Sequence, residues 1–333
     1  MRCTPVLTLA LLILASPAWA QTLVPGGPSL TPSAPPSLAP GFSPQFQPHS
    51  LPPVQESPEG DIAYGAFQRG YYATAMREAM KRIDTNSRDA AAMTIVAEVF
   101  KEGLGVKRDP EEAARWYKLA ADRGDRQATF ALGIAALEGR GIPKDKARAE
   151  ALFKTAAAAG HAGALYNLGI MTIDAEIQDF KRAADLFRRA ADLGSNEGAY
   201  SLAVLFREGK GVPRDLAQSA AWMRRAADER NSAAEVEYAI MLFNGEGVAK
   251  DEKAAAKYFM RAAGSNNPVA MNRLARLYAS GRGVERNMVE AMKWHVLART
   301  VGLQDEWLDT LLNDLPAPDK AAVEDAVRRY IGN

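Results

Sequence analysis

The sequence predicts an all-α solenoid, a stack of repeated helix-turn-helix units, and three observations carry that prediction. First, the loops Gly103-Leu-Gly-Val106, Gly139-Arg-Gly-Ile142, Gly209-Lys-Gly-Val212, Gly245-Glu-Gly-Val248 and Gly281-Arg-Gly-Val284 share one pattern, and successive copies step by 36 residues, or by 70 across one hidden copy. Second, the alanine pairs Ala120-Ala121, Ala156-Ala157, Ala190-Ala191, Ala226-Ala227 and Ala262-Ala263, with Ala298 next, repeat the same steps. Third, strand-like alternation is missing from this region, and self-similarity at such a period is the mark of a repeat architecture. Six copies result. The third is two residues short, with Asp174-Ala-Glu-Ile177 where the others carry Gly-x-Gly.

Each copy reads as two helices. The first carries small residues at Ala92, Ala128, Ala164, Gly198, Ala234 and Ala270, and five residues on at Ala97, Gly133, Gly169, Ala203, Ala239 and Ala275. Small side chains on one face let a neighbouring helix approach closely. After the turn, Asp109, Asp145, Asp179, Asp215, Asp251 and Asn287 are placed as N-caps of the second helix, and in the first copy Pro110 and Glu112 complete the helix-start signature. Seven residues past each cap stand Trp116, Leu152, Leu186, Trp222, Tyr258 and Trp294, expected to fill the space left by the small residues.

Ahead of the repeats lie two segments of different character. Met1-Arg2, the apolar run Pro5 to Ala15 and Ala18-Trp19-Ala20 form a cleaved secretory signal over residues 1–20, with an apolar run too short to span a bilayer comfortably. Cys3 lies before that run, unlike a lipid-attachment cysteine. Residues 21–58 hold eleven of the 19 prolines, a composition that cannot bury a core and reads as a disordered tether. In polyproline geometry it would reach on the order of 100 Å.

The tandem pattern A-x4-G-x5-G-x-G-V-x2-D-x3-A-x2-W-x3-AA over residues 90–303 resembles Sel1-like repeats, relatives of the tetratricopeptide repeat. Residues 59–89, with Gly70-Tyr-Tyr-Ala73 and Ala79, resemble a degenerate first pair, and residues 304–333 read as capping helices. The resemblance implies a right-handed solenoid whose concave face is lined mainly by the first helix of each pair. It also implies an adaptor role in signalling or envelope processes. A cysteine-rich branch of that family is linked to penicillin binding or β-lactam hydrolysis, and this chain lacks its paired cysteines.

Composition excludes much chemistry. The 333 residues suffice for one to three domains. Forty-one basic against 40 acidic side chains remove any dominant attraction to nucleic acid or anionic membrane. The single cysteine leaves no internal disulfide, thiolate zinc site or Cys nucleophile, and it is lost with the signal. Of three histidines, His49 sits in the tether, His161 in a turn between copies, and His295 at a position held elsewhere by Tyr117, Phe153, Phe187 and Phe259, where packing is expected. Neither a metal-ligand spacing nor a serine acyl-transfer motif is visible. The Gly-x-Gly loops follow helices rather than strands, so turns needing positive φ explain them better than phosphate binding. The sequence therefore gives no catalytic residue, metal or cofactor.

One pattern points to recognition. Positions −2, +1 and +5 about the small residue in the middle of each first helix share a face. Position +1 reads Glu98, Ile134, Ile170, Val204, Ile240 and Arg276; position +5 includes Glu102, Glu138, Asp174 and Glu208; position −2 ends in Arg273. A concave groove with an apolar central stripe, acidic edges and a basic last copy would suit a helix or extended peptide with apolar anchors and basic flanks. The competing reading makes the four apolar residues core; all four below 10% exposure would remove the groove. The expectation is a monomeric, non-enzymatic scaffold in the periplasm of a Gram-negative bacterium, with no stable membrane insertion after signal cleavage. It would bind a protein or peptide partner and regulate envelope signalling or assembly. A cell-wall or β-lactam hydrolase, and a structural scaffold anchored through the proline-rich arm, remain the alternatives.

Overall fold

The structure is a computed structural model describing residues 61–332; the signal and tether expectations lie outside the described residues. Among the described residues there are sixteen α-helices and no strand. Helices α1 (Ile62–Gln68) and α2 (Tyr72–Thr85) precede six hairpins. The hairpins are α3 (Ala90–Glu102) with α4 (Pro110–Ala121), α5 (Arg126–Glu138) with α6 (Lys146–Ala158), and α7 (Ala162–Ile173) with α8 (Phe180–Asp192). Then come α9 (Asn196–Glu208) with α10 (Leu216–Asp228), α11 (Ser232–Asn244) with α12 (Glu252–Gly264), and α13 (Pro268–Ser280) with α14 (Met288–Thr300). Helices α15 (Glu306–Asp314) and α16 (Ala317–Ile331) follow. The described chain forms two compact units, one ending at Met171 and the other beginning at Thr172.

Local chemistry sets the helix ends. Asp109, Asp145, Asp179, Asp215, Asp251 and Asn287 each accept a backbone N–H from the first turn of the second helix. The first helices are capped the same way by Asp89, Asp125, His161, Ser195, Asn231 and Asn267. Most first helices stop on a left-handed glycine, such as Gly245 at φ 77°, as the αL cap requires. The second loop glycine does a different job. A Cβ on Gly247 would lie 2.0 Å from the carbonyl oxygen of Leu216, at the start of the preceding copy's second helix, and Gly283 meets Glu252 in the same way. These glycines let one copy's turn sit directly on the backbone of the copy before it. In the third copy α7 has 12 residues, and the turn after it contains no glycine.

In the first unit, Ala92, Ala97, Ala128, Leu132, Tyr117 and Phe153 are buried between hairpins. A Cβ on Gly133 would come 2.7 Å from the Phe153 ring, so that ring packs straight onto the glycine. Arg82 ties this unit's start together, bonded to Asp61 at 2.6 Å and Asp89 at 2.9 Å. In the second unit, Ala203, Ala239, Ala275, Phe187, Met223, Phe259 and Met292 belong to the core. The position one residue beyond the expected one is buried in all six copies, and the expected position is buried in two of them. Tyr117, Phe153, Phe187, Met223, Phe259 and His295 are buried, and so are Leu186 and Trp294 at the expected position, whereas Trp116, Leu152, Trp222 and Tyr258 are only half-buried. One helical step turns a side chain by about 100°, which moves Trp116, Leu152, Trp222 and Tyr258 from the centre of the hairpin to its flank.

Arginines reach back along the second unit. Arg225 donates to the carbonyl of Ala191 at 2.5 Å, and Arg261 donates to that of Ala227, each adding a side-chain bond to a carbonyl in the last turn of the preceding copy's second helix that already accepts a backbone N–H. At the C-terminal end, Leu308 and Val323 join the core, and Trp294 meets Tyr330 edge-on at 5.2 Å.

Candidate functional site

The face predicted from the first helices is present in both units, and each unit treats it differently. In the first unit it is made by α3, α5 and α7. Ile134 and Ile170 are half-buried, with Ala131 and Asn167 beside them also partly open. Glu98 is 8% exposed, so it belongs to the packed part of the face, while Glu102 is exposed. Lys101 lies 3.0 Å from both of these carboxylates, and Arg140 is 2.8 Å from Glu138. These acids therefore pair within their own helix or its turn. Burial, then the charges of Glu98 and Glu102, push the Tyr117 hydroxyl pKa well above its ordinary value.

In the second unit the face is made by α9, α11 and α13. Val204 is 3% exposed and is core, whereas Ile240 remains half-buried. The stripe thus loses one of its four apolar members and keeps three. Glu208 is 2.7 Å from Lys210. Arg207 of α9 reaches across to Glu237 of α11 at 2.8 Å. Arg276 of α13 makes a two-pronged pair with Asp305, at 2.7 and 2.9 Å, and its guanidinium lies 5.1 Å from the Trp307 ring centre. Asn272 adds a third bond to Asp305 at 2.7 Å. Burial of Asp305 opposes its charge, but the bonds from Arg276 and Asn272 outweigh it and hold the carboxyl pKa below the ordinary range. Burial, then the neighbouring Arg276 charge, brings the Arg273 pKa down to about 10. The expected basic end of the face is therefore largely occupied by the chain's own C-terminal segment. Asp174 lies half-buried in the turn after α7.

The sequence pattern missed Glu237 as a partner of Arg207, and Asn272, Asp305 and Trp307 as partners of α13. A signal existed: opposite charges 30 residues apart, six short of the period, meet at Arg207–Glu237 and again at Glu252–Arg282.

Both described histidines are structural. His161 Nδ1 accepts the Ala164 N–H at 3.1 Å, its Nε2 lies 2.9 Å from Gln127 Oε1, and its ring stacks on Phe130 at 4.2 Å. Burial, then the nearby Arg126 charge, lower its pKa to about 4. His295 is fully buried, with Nε2 2.9 Å from Asp309. Among the described residues, no cluster of three His, Cys, Asp or Glu side chains could hold a metal, and no helix is long and apolar enough to cross a membrane. A cleft of about 190 Å³ lies between α4 and α6, lined by Glu111, Arg115, Lys118, Leu132, Ile142 and Arg148 among others. Arg115 and Lys118 there pair along α4 with Glu112 and Asp122.

Comparison with known proteins places this geometry. The Sel1 repeat family model matches six times, at residues 90–125, 126–161, 162–195, 196–231, 232–267 and 268–299. No curated protein matches the sequence. Among solved structures, a Sel1 repeat protein from Oxalobacter formigenes is 27% identical, with a TM-score of 0.65, covering 72% of this chain and 98% of that one. A protective antigen present in uropathogenic Escherichia coli strains, c5321, which displays an SLR fold, is 24% identical with a TM-score of 0.47, covering 81% of this chain and 67% of that one. With repeat-family matches over more than half its length, this chain belongs to the Sel1 repeat family.

Proposed function

We propose that the protein is a non-enzymatic periplasmic interaction scaffold that docks a partner segment on the face of its first helices, in envelope signalling or assembly. Sel1 repeat proteins generally mediate protein–protein interaction. The observation that carries the reading here is the exposure of that face. Ile134, Ile170 and Ile240 stay half-buried while the small residues behind them, Ala128, Ala164 and Ala234, are fully buried. Apolar side chains left partly in water along one face gain from being covered by a partner. The two described histidines, committed to capping and packing, favour binding over bond-breaking. The leader read in residues 1–20 supports export.

A photocrosslinking amino acid at Ile134 or Ile170 should capture a discrete partner in cells, whereas one at exposed Lys253 of α12 should not. Crosslinks from Lys253 alone would move recognition to the second helices. Sequencing of the secreted form should begin at Gln21; an intact Met1 on the mature chain would remove the periplasmic assignment.

A further inference from the structure

We infer that Asn244, the last residue of α11, is a self-modification site. Its carboxamide closes on the backbone nitrogen of Gly245, releases ammonia and ends as an acid, at a rate set by opening of the helix's last turn.

Sequence and structure single out this residue by different routes. Asn244-Gly245 is the one Asn-Gly step in the chain. A glycine presents the least hindered backbone nitrogen, because it has no Cβ to obstruct the approaching side chain. Two other asparagines precede a small residue, Asn86 before Ser87 and Asn231 before Ser232. Both have tied carboxamides. Asn86 Oδ1 accepts the Arg88 N–H at 3.0 Å, and Asn231 caps α11 through Oδ1 while its Nδ2 donates to Asn196 at 3.2 Å. The Asn244 side chain is exposed and makes no hydrogen bond to another described residue.

The backbone supplies the brake. The Gly245 N–H donates to the Met241 carbonyl at 2.9 Å, and the Glu246 N–H donates to the same oxygen at 2.9 Å. A closed turn keeps the attacking nitrogen bonded. Helix ends open more readily than helix centres, so reaction proceeds from the frayed turn. There the Gly245 nitrogen gives its proton to solvent and bonds to Cγ of Asn244. The Cγ–Nδ2 bond breaks, and the side-chain nitrogen leaves as ammonia. One water then opens the cyclic imide at either of its two ring carbon–nitrogen bonds. One cleavage gives aspartate; the other gives isoaspartate, in which the main chain runs through the side-chain carboxyl. Nothing is oxidised or reduced.

The two products differ in consequence. Each adds a negative charge at the C-terminal end of a helix, which the helix dipole disfavours. Aspartate brings the fifth copy to the pattern of Glu102, Glu138, Asp174 and Glu208, which hold this register in other copies. Isoaspartate lengthens the main chain by one carbon in a turn where a Cβ on Gly247 would already lie 2.0 Å from the Leu216 carbonyl oxygen. The first is tolerated, and the second loosens the seat of the turn on α10.

The test incubates the purified full chain, beside a peptide of the sequence Met241–Val248, at mildly alkaline pH and maps the products by mass spectrometry. Acid should form at Asn244 before Asn86 or Asn231, as a mixture of aspartate and isoaspartate, and faster as pH rises. Conversion in the folded chain should be about tenfold slower than in the peptide, or more, by the factor that hydrogen exchange gives for protection of the Gly245 amide. Gly247→Ala, which unseats the turn, should speed conversion about threefold with helices intact by circular dichroism. If that variant does not fold, the match between conversion and exchange in the parent decides. Earlier conversion at Asn86 or Asn231, or aspartate without isoaspartate, overturns the site. An Asn244 still intact after the time set by the exchange measurement does so too. A folded chain converting as fast as the peptide overturns control by the turn.

Discussion

His161 caps α7 only while its Nδ1 lone pair is free to accept the Ala164 N–H. Its folded pKa, about 4, lies below the ordinary histidine value of 6.5, so folding favours the neutral ring. The corresponding stability is present above pH 6.5 and is lost as pH falls through 6.5 toward 4, up to about 3 kcal/mol from a difference of this size. His161→Asn, which places there the residue that caps α11 and α13, should flatten that acid limb in urea titrations at pH 7 and pH 4.5. A variant with the same limb as the parent would assign it to other groups. Glycines separate in the same way. Gly194 and Gly247 both have positive φ, but a Cβ on Gly194 meets nothing within 4 Å. Gly194→Ala should cost about 1 kcal/mol, the left-handed penalty. Gly247→Ala adds a collision with the Leu216 carbonyl and should cost about 3 kcal/mol or more. Equal costs would mean that the turn shifts freely.

Helix ends were the most legible elements in the sequence, because caps are local: Asp251 and the backbone it serves are three residues apart. The core ring was less legible. A repeating large residue next to another large residue does not say which of the two faces the partner helix, and Trp222–Met223 resolved in favour of the methionine. The candidate face was legible as a register but not as a state of exposure. Val204 and Ile240 occupy the same position, yet only the isoleucine remains partly open. Contacts between copies were least legible, since Arg207 finds Glu237 only once two hairpins are superimposed. A double-mutant cycle on Arg207→Ala and Glu237→Ala should give a coupling of about 1 kcal/mol, as expected for a partly screened pair. Arg276→Lys, which keeps the charge but loses the planar fork on Asp305, should cost about 2 kcal/mol. A cost near zero would show that charge alone holds α15.

For the whole molecule, the ends matter as much as the repeats. A stack of similar hairpins presents an unfinished apolar surface wherever it stops, and a terminal element with a polar outer side must cover it. Here α15 and α16 do so over Trp294, Leu297 and Met292, with Leu308 and Val323 buried against the stack. Truncation after Leu303 should leave secondary structure per residue intact but produce concentration-dependent association in light scattering, through the exposed patch. A monodisperse monomer of unchanged melting temperature would show that the last hairpin needs no cover.

Arg225 and Arg261 each add a bond to the end of a helix belonging to the copy before them, and Gly247 and Gly283 seat their turns on the backbone of the copy before theirs. The second helices α8, α10 and α12 are thus each braced by the copy that follows. As the chain leaves the ribosome, each of these three helices gains its brace only when the next copy is made, so that their consolidation should trail synthesis by one repeat in the N-to-C direction.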